Sequence, residues 1–441
     1  MKVNKRFISL NPSQLLILVF AFFISLGTIA LKLPIATTEP ISWVDALFTS
    51  TSAMTVTGLS VVDTGTAFTV FGQVTIIILI QLGGLGIMSF AVLIYIMLGR
   101  KIGIKERLIM QHALNQTSLG GVIKLVKNLF IFSFTIEFIG MLFLATQWVP
   151  EFGWGKGMYI SMFHAVSAFN NAGFSLFSDY IMGYVGNPVI NIAITFLFII
   201  GGIGFTVLAD IIAKRKFKKL SLHSKMMLVG TLAINIFAML VIFVLEYSNP
   251  NTIGPLDLPS KLWASYFQAV TPRTAGFNSV DIGSMYESSL FLIMILMFIG
   301  AGSASTGGGI KLTTALVIVL AAIAFIRGKS EITIAKRSIS HVSIIKSLAI
   351  TTVSIVFIVL IVFILNIVEK HSFTKVLFEV ISAFGTVGLS MGITADLTDL
   401  GKQLIIFMMF VGKLGPLTLM FSLSKPKKEK IRYPQEDLLT G

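Results

Sequence analysis

Cysteine is absent from all 441 residues of this chain, which excludes disulfides, thiolate catalysis and cysteine-ligated metals and leaves the redox compartment unread. Charge is scarce too, at 12% of residues against 55% hydrophobic. So little charge cannot cover the surface of a water-soluble fold of this length, and the composition is that of a polytopic membrane protein. No second His or carboxylate is spaced for a metal around His164, which reads as a packed or hydrogen-bonded residue. A membrane enzyme would need clustered acids, histidines or a serine nucleophile inside the bilayer, and the sequence offers none.

What the chain has instead is apolar length. Uncharged runs extend over Phe7–Leu31, Thr64–Gly99, Ile181–Ala209, Met226–Leu245 and Ser347–Val368, each long enough to cross a hydrocarbon core of about 30 Å as a helix. Spans around Glu137 and Lys413, and the stretch Ser288–Ile326 around Lys311, bring the expected number to eight. Lys2, Lys5 and Arg6 before the first run superficially resemble a secretory signal, but an apolar region of roughly 7 to 15 residues is usual there, and the run reads as a retained span.

Of the 34 Lys and Arg, 25 lie in the N-terminus, in segments 100–127, 210–225 and 327–346, and in the tail from Lys425 onward. The alternate connections hold 13 of the 20 acids. The positive-inside bias then makes both termini cytoplasmic in a multi-pass protein of the cell membrane. Basic runs such as "KRKFKK" at 214–219 serve topology, and nucleic acid is not an expected partner; the lipid bilayer is. Asp210 falls at a span end, at the interface.

Each connection placed outside contains a second, shorter apolar stretch: Ile41–Met54, Met158–Phe169, Lys261–Val270 and Val376–Phe384. Such lengths reach only part-way through a bilayer and read as re-entrant helices. Each runs into a small-residue loop: Thr55, Val56, Thr57, Gly58; Asn170, Asn171, Ala172, Gly173; Arg273, Thr274, Ala275, Gly276; and Gly385, Thr386, Val387, Gly388. A Leu or Phe follows every one of the four glycines, and an aromatic stands ten residues before: Phe48, Phe163, Tyr266 and Phe378. The chain is thus expected to be an all-α membrane protein of four span–pore-helix–span repeats. They are placed at 1–107 (pore loop 41–60), 108–225 (158–178), 226–337 (259–281, with a broken second span 288–326) and 338–424 (373–392), with a cytoplasmic tail 425–441.

Irregular backbone is tolerated at membrane depth only inside protein or beside a water-filled cavity, so four such loops must converge. Four helices aiming their C-termini at one axis place roughly half a negative charge each there, which attracts cations. A Gly in each loop admits positive φ, letting carbonyls face the axis and replace an ion's hydration shell. Pro272 suits the third loop by ending its helix. Asn170 and Asn171 either offer amides to this filter or cap the loop, and Glu379 anchors its pore helix.

On these residues the chain resembles the Trk/Ktr/HKT superfamily of potassium transporters, and within it the membrane subunits of bacterial Ktr systems, over nearly its whole length. The resemblance implies four unequal repeats with one filter glycine each, and potassium as the transported ion. In the plant branch a Ser at the first filter position accompanies sodium preference, whereas Gly58 stands here. It also implies a homodimer with a pore in each protomer, docked on a cytosolic regulatory ring that binds adenine nucleotide. Sodium is carried as a candidate regulatory ion.

The stretch Ser288–Ile326 would be about 58 Å long as one helix, so it must break, and the break is "GAGSASTGGGIK": Gly300, Gly302, Ser303, Ala304, Ser305, Thr306, Gly307, Gly308, Gly309 and Lys311 are its candidate gate residues. A phosphate-binding reading fails because Lys311 stands too late and is followed by Leu312, so no nucleotide is expected in this chain. The resemblance implies that this loop lies under the filter and gates it. Lys311 and Lys413 are the cations within the expected spans, where a charge costs about 2.5–3.5 kcal/mol on the lenient scale. They should face the pore, a carbonyl or an acid such as Glu137. Relatives often carry Arg at the position of Lys413, so the fork geometry of a guanidinium is lost. An alternating-access, sodium- or proton-coupled transporter is the alternative; it would more naturally show two inverted halves, whereas these repeats are parallel.

Overall fold

The computed structural model describes residues 12–86, 122–329, 331–334, 337–423 and 436. In chain order, α1 (Pro12–Lys32) leads to the short α2 (Trp43–Thr55), a single turn α3 (Thr64–Ala67) and α4 (Val70–Leu85). Then come α5 (Val122–Phe152), α6 (Trp154–Phe169), and α7 (Pro188–Ile203), which meets α8 (Phe205–Lys214) at a 92° bend. The third group is α9 (Leu222–Glu246), α10 (Leu258–Val270), α11 (Glu287–Phe298) and α12 (Leu312–Ile326). A two-residue pairing of Thr333–Ile334 with Arg337–Ser338 precedes α13 (His341–Val368), α14 (Phe373–Gly385), α15 (Asp399–Leu414) and α16 (Pro416–Leu423).

Among the described residues α1, α5, α9 and α13 are long and apolar enough to cross a bilayer, with the bent pair α7–α8 a fifth candidate. The other apolar segments are not unbroken spans. α4, α7 and α15 each stop at a glycine in an extended, positive-φ conformation: Gly86 (φ 81), Gly204 (φ 105) and Gly415 (φ 85). Hydropathy averages over such a break, because the residues on both sides are equally apolar. Residues 87–99 of the run beginning at Thr64, the basic segment 100–107, the repeat boundary at 107, Lys2, Lys5 and Arg6, and the basic tail lie outside the described residues.

Large apolar side chains face outward, Val244 at 72% exposure and Phe363 at 66%, while Thr57, Asn170, Asn171, Thr274 and Thr386 are fully buried. A surface of that kind suits lipid and would be an aggregation hazard in water. The buried polar residues are concentrated around the four short helices. α4 packs on α6, α7 on α10, α11 on α14, and α15 on α2, so the helix following each short helix leans on the next short helix and the last closes on the first. At the closure Lys402 Nζ lies 2.8 Å from Asp45 Oδ1, in the first turn of α2, whose start is capped by the Ser42 hydroxyl accepting from Asp45 N.

The short helices α6, α10 and α14 begin three or four residues before the apolar stretches that predict them. Their first turns open on an exposed apolar residue followed by small or polar ones (Trp154, Leu258 and Phe373 are each more than half exposed), and only the deeper turns are buried. The third unit also runs in a different register. Phe48, Phe163 and Phe378 are fully buried, but in α10 the fully buried ring is Phe267, whereas Tyr266 is partly buried and donates to Thr195 Oγ1 at 3.1 Å.

Candidate functional site

The C-termini of α2, α6, α10 and α14 deliver four loops to one point. In each loop the residue two before the glycine is left-handed, Val56 (φ 58), Asn171 (φ 60), Thr274 (φ 73) and Thr386 (φ 48), and so are Gly58 (φ 92), Gly173 (φ 68), Gly276 (φ 77) and Gly388 (φ 93). Left-handed non-glycine residues cost of order 1–3 kcal/mol each and persist only where the surroundings over-determine them. The hydrogen bonds show what does so. Between these two positions the backbone N–H turns back to its own helix: Thr57 to Ser52 O (2.8 Å), Ala172 to Ser167 O (2.8 Å), Ala275 to Thr271 O (3.0 Å) and Val387 to Ser382 O (2.9 Å). The third bond spans one residue fewer, which accounts for the register of Phe267.

With those amides turned away, the carbonyls of the same four residues turn inward. A Cβ on Gly58 would collide with Ala172 O, one on Gly173 would lie 3.1 Å from Ala275 O, one on Gly276 would collide with Val387 O, and one on Gly388 with Thr57 O. The glycines therefore form a closed ring in which each admits its neighbour's carbonyl. Thr57, Ala172, Ala275 and Val387 are fully buried, and among the described residues no protein donor bonds to these four oxygens. Orphaned buried carbonyls are rare and costly. Four converging at one point are an arrangement able to replace the hydration shell of a desolvated cation.

The hydroxyls of Ser52, Ser167, Thr271 and Ser382 brace the loops and escaped sequence reasoning. Ser52 and Ser382 accept from Gly58 N (3.1 Å) and Gly388 N (3.2 Å), while Ser167 and Thr271 donate to Phe174 O (2.7 Å) and Phe277 O (2.5 Å). Their recurrence five or six residues before each glycine was available as a signal. The first residue of each quartet stands back from the ring. Thr55 donates to Thr51 O, Gly385 ends α14, and Asn170 donates to Gln81 Oε1 (2.8 Å) and Glu137 Oε1 (3.2 Å). Buried Arg273 lines a small cavity with Thr231 and Asn235, its Nε without a protein partner.

On the mouth side, where the short helices enter, a cavity of about 220 Å³ is lined by Gly58, Gly173, Asp63 and Tyr180 among others. On the deep side lies the loop between α11 and α12. Gly302 N donates to Gly202 O (2.8 Å), Phe205 N to Ala304 O (2.8 Å) and Thr306 N to Gly201 O (3.3 Å), so the loop is docked on the bend between α7 and α8. Ser305 Oγ donates to Gly302 O, Ala304 and Gly309 are left-handed, and Ser303 Oγ lies 3.3 Å from Thr313 Oγ1. Gly300 packs so closely on Gly308 O that a Cβ has no room. Two lysines hold the loop's carbonyls: Lys413 Nζ donates to Thr306 O (2.6 Å) and Lys311 Nζ to Gly307 O (2.6 Å). Glu137 is partnered by Gln81 and Asn170, not by Lys413.

The placement of Lys413 follows from a motif that sequence reasoning overlooked. "GGLG" at 83–86, "GGIG" at 201–204 and "GKLG" at 412–415 end α4, α7 and α15. Their first glycines, Gly83, Gly201 and Gly412, press against Met54 O, Phe169 O and Phe384 O at the ends of the short helices. Lys413 thus occupies the position of Gly84 and Gly202, which lie against the side chains of Asn170 and Asn171. His164 is a packing residue, donating from Nδ1 to Ile160 O (2.9 Å) with Nε2 3.0 Å from Ser175 Oγ. Glu379 accepts from Thr394 Oγ1, and Asp210 pairs with Lys214 at 2.7 Å and receives Ser221 N and Ser224 Oγ.

A ring of inward carbonyls inside an apolar helical shell suits the class of protein that passes cations through a membrane. The sequence agrees with that class: residues 4–433 match the TrkH family model, described as a cation transport protein, and the chain belongs to that family. It is 57% identical over 436 residues to the Ktr system potassium uptake protein B of Bacillus subtilis, covering 99% of this chain and 98% of that one. To the protein of the same name from Vibrio alginolyticus it is 42% identical, covering 97% and 94%. Its fold is similar to the crystal structure of the potassium transporter TrkH from Vibrio parahaemolyticus, with a TM-score of 0.75 at 20% identity over 96% of this chain and 87% of that one. The chain is therefore a multi-pass membrane protein of a cation transport family.

Proposed function

We propose that the chain is the potassium-conducting subunit of a Ktr-type uptake system, working as a channel-like pore. Four span–pore-helix–span repeats, giving eight spans and four pore loops, surround a pseudo-fourfold axis. The ring closed by Gly58, Gly173, Gly276 and Gly388 is the selectivity filter. The observation that carries this reading is the set of four buried carbonyls, of Thr57, Ala172, Ala275 and Val387, that converge without a protein donor among the described residues. The mouth cavity faces outward, and both termini are cytoplasmic. The names of the two relatives speak of a Ktr system and of potassium uptake, in keeping with potassium as substrate and with a partner subunit.

The loop Gly300–Lys311 is the gate, drawn here across the deep side and held by Lys413 and Lys311. In this position two ammonium groups stand in the path of a cation leaving the ring, which suits a shut pore. A homodimer docked on a cytosolic nucleotide-binding ring subunit, with sodium as a regulatory ion, completes the proposal; the basic segments around 214–225 and 327–337 supply charge for that docking. Expression in a strain lacking potassium uptake tests the reading: growth at limiting potassium should be restored, more strongly with a Ktr ring subunit present. Failure to restore growth in either case, with the protein in the membrane, would count against it.

A further inference from the structure

The gate loop is bonded not only to the lysines but to the filter itself, through the left-handed residues at the ring's deep edge. Thr306 Oγ1 donates to Asn171 Oδ1 at 2.8 Å, and Asn171 Nδ2 donates onward to Thr274 Oγ1 at 3.2 Å. Gly308 N donates to Thr386 Oγ1 at 2.9 Å. Gly307 and Gly308 lie against the side chains of Thr274 and Thr386 so closely that a Cβ on either would collide with the threonine hydroxyl. Loops two, three and four are thus tied to the gate directly or through one intermediary. The first loop presents Val56 at the equivalent position, an apolar side chain in one buried cluster with Met54, Phe163 and Phe174, and among the described residues it makes no such bond.

These residues share one backbone conformation for a reason. A left-handed turn two residues before the glycine sends the side chain toward the deep side while the carbonyls point to the axis, so the same φ that shapes the filter aims Asn171 and Thr386 at the loop. A change at either end is felt at the other, and such coupling is reciprocal. An ion that holds the ring in this geometry favours the docked loop, and an ion that fits the ring poorly releases it.

We propose that Asn171 and Thr386 are positioning residues that couple filter occupancy to the gate, so that the identity of the ion in the ring sets how firmly the loop is shut. This rests on the filter and gate reading above and adds a property that reading does not require. No reaction step is involved; the coupling is a shift between two positions of one loop.

The lack of cysteine provides the test. Ser305→Cys, at a loop residue whose hydroxyl donates to Gly302 O, introduces a unique thiol whose alkylation by a small maleimide in proteoliposomes reports loop release. The rate should be about fivefold slower in potassium than in sodium, the low end of typical coupling between sites. Adding Thr306→Val and Thr386→Val, which keep shape and remove the hydroxyls, should raise the rate and abolish the dependence on the ion; Thr386→Ser, which keeps the hydroxyl, should retain it. Rubidium uptake in the same vesicles, with sodium as competitor, reports the filter separately. Alkylation indifferent to the ion in the Ser305→Cys parent, or an ion dependence that survives the paired valine substitutions, overturns the coupling while potassium-preferring uptake leaves the filter standing. Uptake with no preference for potassium removes the filter reading and the coupling together.

Discussion

A Cβ placed on Gly388 would lie 3.0 Å from the Cα of Gly58. The fourth loop thus meets the first as closely as the first meets the second, where the Cβ of Gly58 would lie 2.9 Å from the Cα of Gly173. A ring that closes this tightly has no slack, and a change at any one glycine is transmitted to its neighbour.

Substitution of Gly58 by Ser should therefore reduce discrimination of potassium from sodium by about tenfold, near 1.4 kcal/mol. The added atoms would strike Ala172 O, one of the four ring carbonyls, from a backbone whose positive φ strains any side chain. Gly276→Ser should act alike through Val387 O. Competition of sodium with rubidium uptake measures it, and an unchanged ratio in both variants would deny these loops their role in the filter.

Lys413 donates to Thr306 O at 2.6 Å. A hydrogen bond from a charged donor contributes about 1.5–3 kcal/mol, so Lys413→Gln should raise rubidium flux several-fold in vesicles lacking a ring subunit. Deletion of Ser303–Gly308 should do the same. The two together should be less than additive, because both act on one shut state. Equal or lower flux in both, at matched protein level, would leave the glycines of the loop as a packing device.

Behind the second loop, Gln81 Nε2 donates to both oxygens of Glu137 at 3.0 and 3.2 Å, and Asn170 bonds to both residues. Glu137→Leu would leave the Gln81 amide without its acceptor, while Asn170 keeps Gln81 Oε1 and Val166 O; the loss of about 1–3 kcal/mol should lower the melting temperature in detergent. Glu137→Gln should recover part of the loss, because one of its two amide atoms still accepts. Melting curves indistinguishable from the parent for Glu137→Leu would show that this network carries no stability.

How much of this could be read in the sequence depends on what repeats. The glycines at 58, 173, 276 and 388 are legible because only a backbone requirement recurs at one place in four dissimilar loops. The register of the third loop was not, since aligning on the glycine alone selects Tyr266, and only the shorter Ala275–Thr271 bond reveals that Phe267 is the buried ring. The interruptions at Gly86, Gly204 and Gly415 were hidden inside apolar runs, where hydropathy is blind to φ. The contact of Lys413 with Thr306 was unreadable because 107 residues separate the two, and nothing local in either segment announces the other.

The ring of helices closes through Asp45 and Lys402 at 2.8 Å. Burial alone would push the Asp45 carboxyl up, but the Lys402 ammonium and the Ser42 hydroxyl outweigh it and hold it below its ordinary 3.8. A carboxylate whose value is depressed on folding stabilises above its unfolded value and loses that stabilisation as pH falls through the folded one. Thermal stability should then be indifferent to this pair from neutral pH down to about 5, and the gap between the parent and Asp45→Asn should narrow only below 3.8. A gap that already closes between pH 7 and 5 would contradict the pairing.

The most direct measurement of the central claim is unidirectional rubidium uptake by the purified protein in proteoliposomes under an imposed membrane potential. Four inward carbonyls acting as a potassium filter predict uptake that follows the potential without any sodium or proton gradient, is competed by potassium far more effectively than by sodium, and loses that preference in Gly58→Ser. Uptake that requires a sodium or proton gradient, or that sodium competes as well as potassium does, would contradict it.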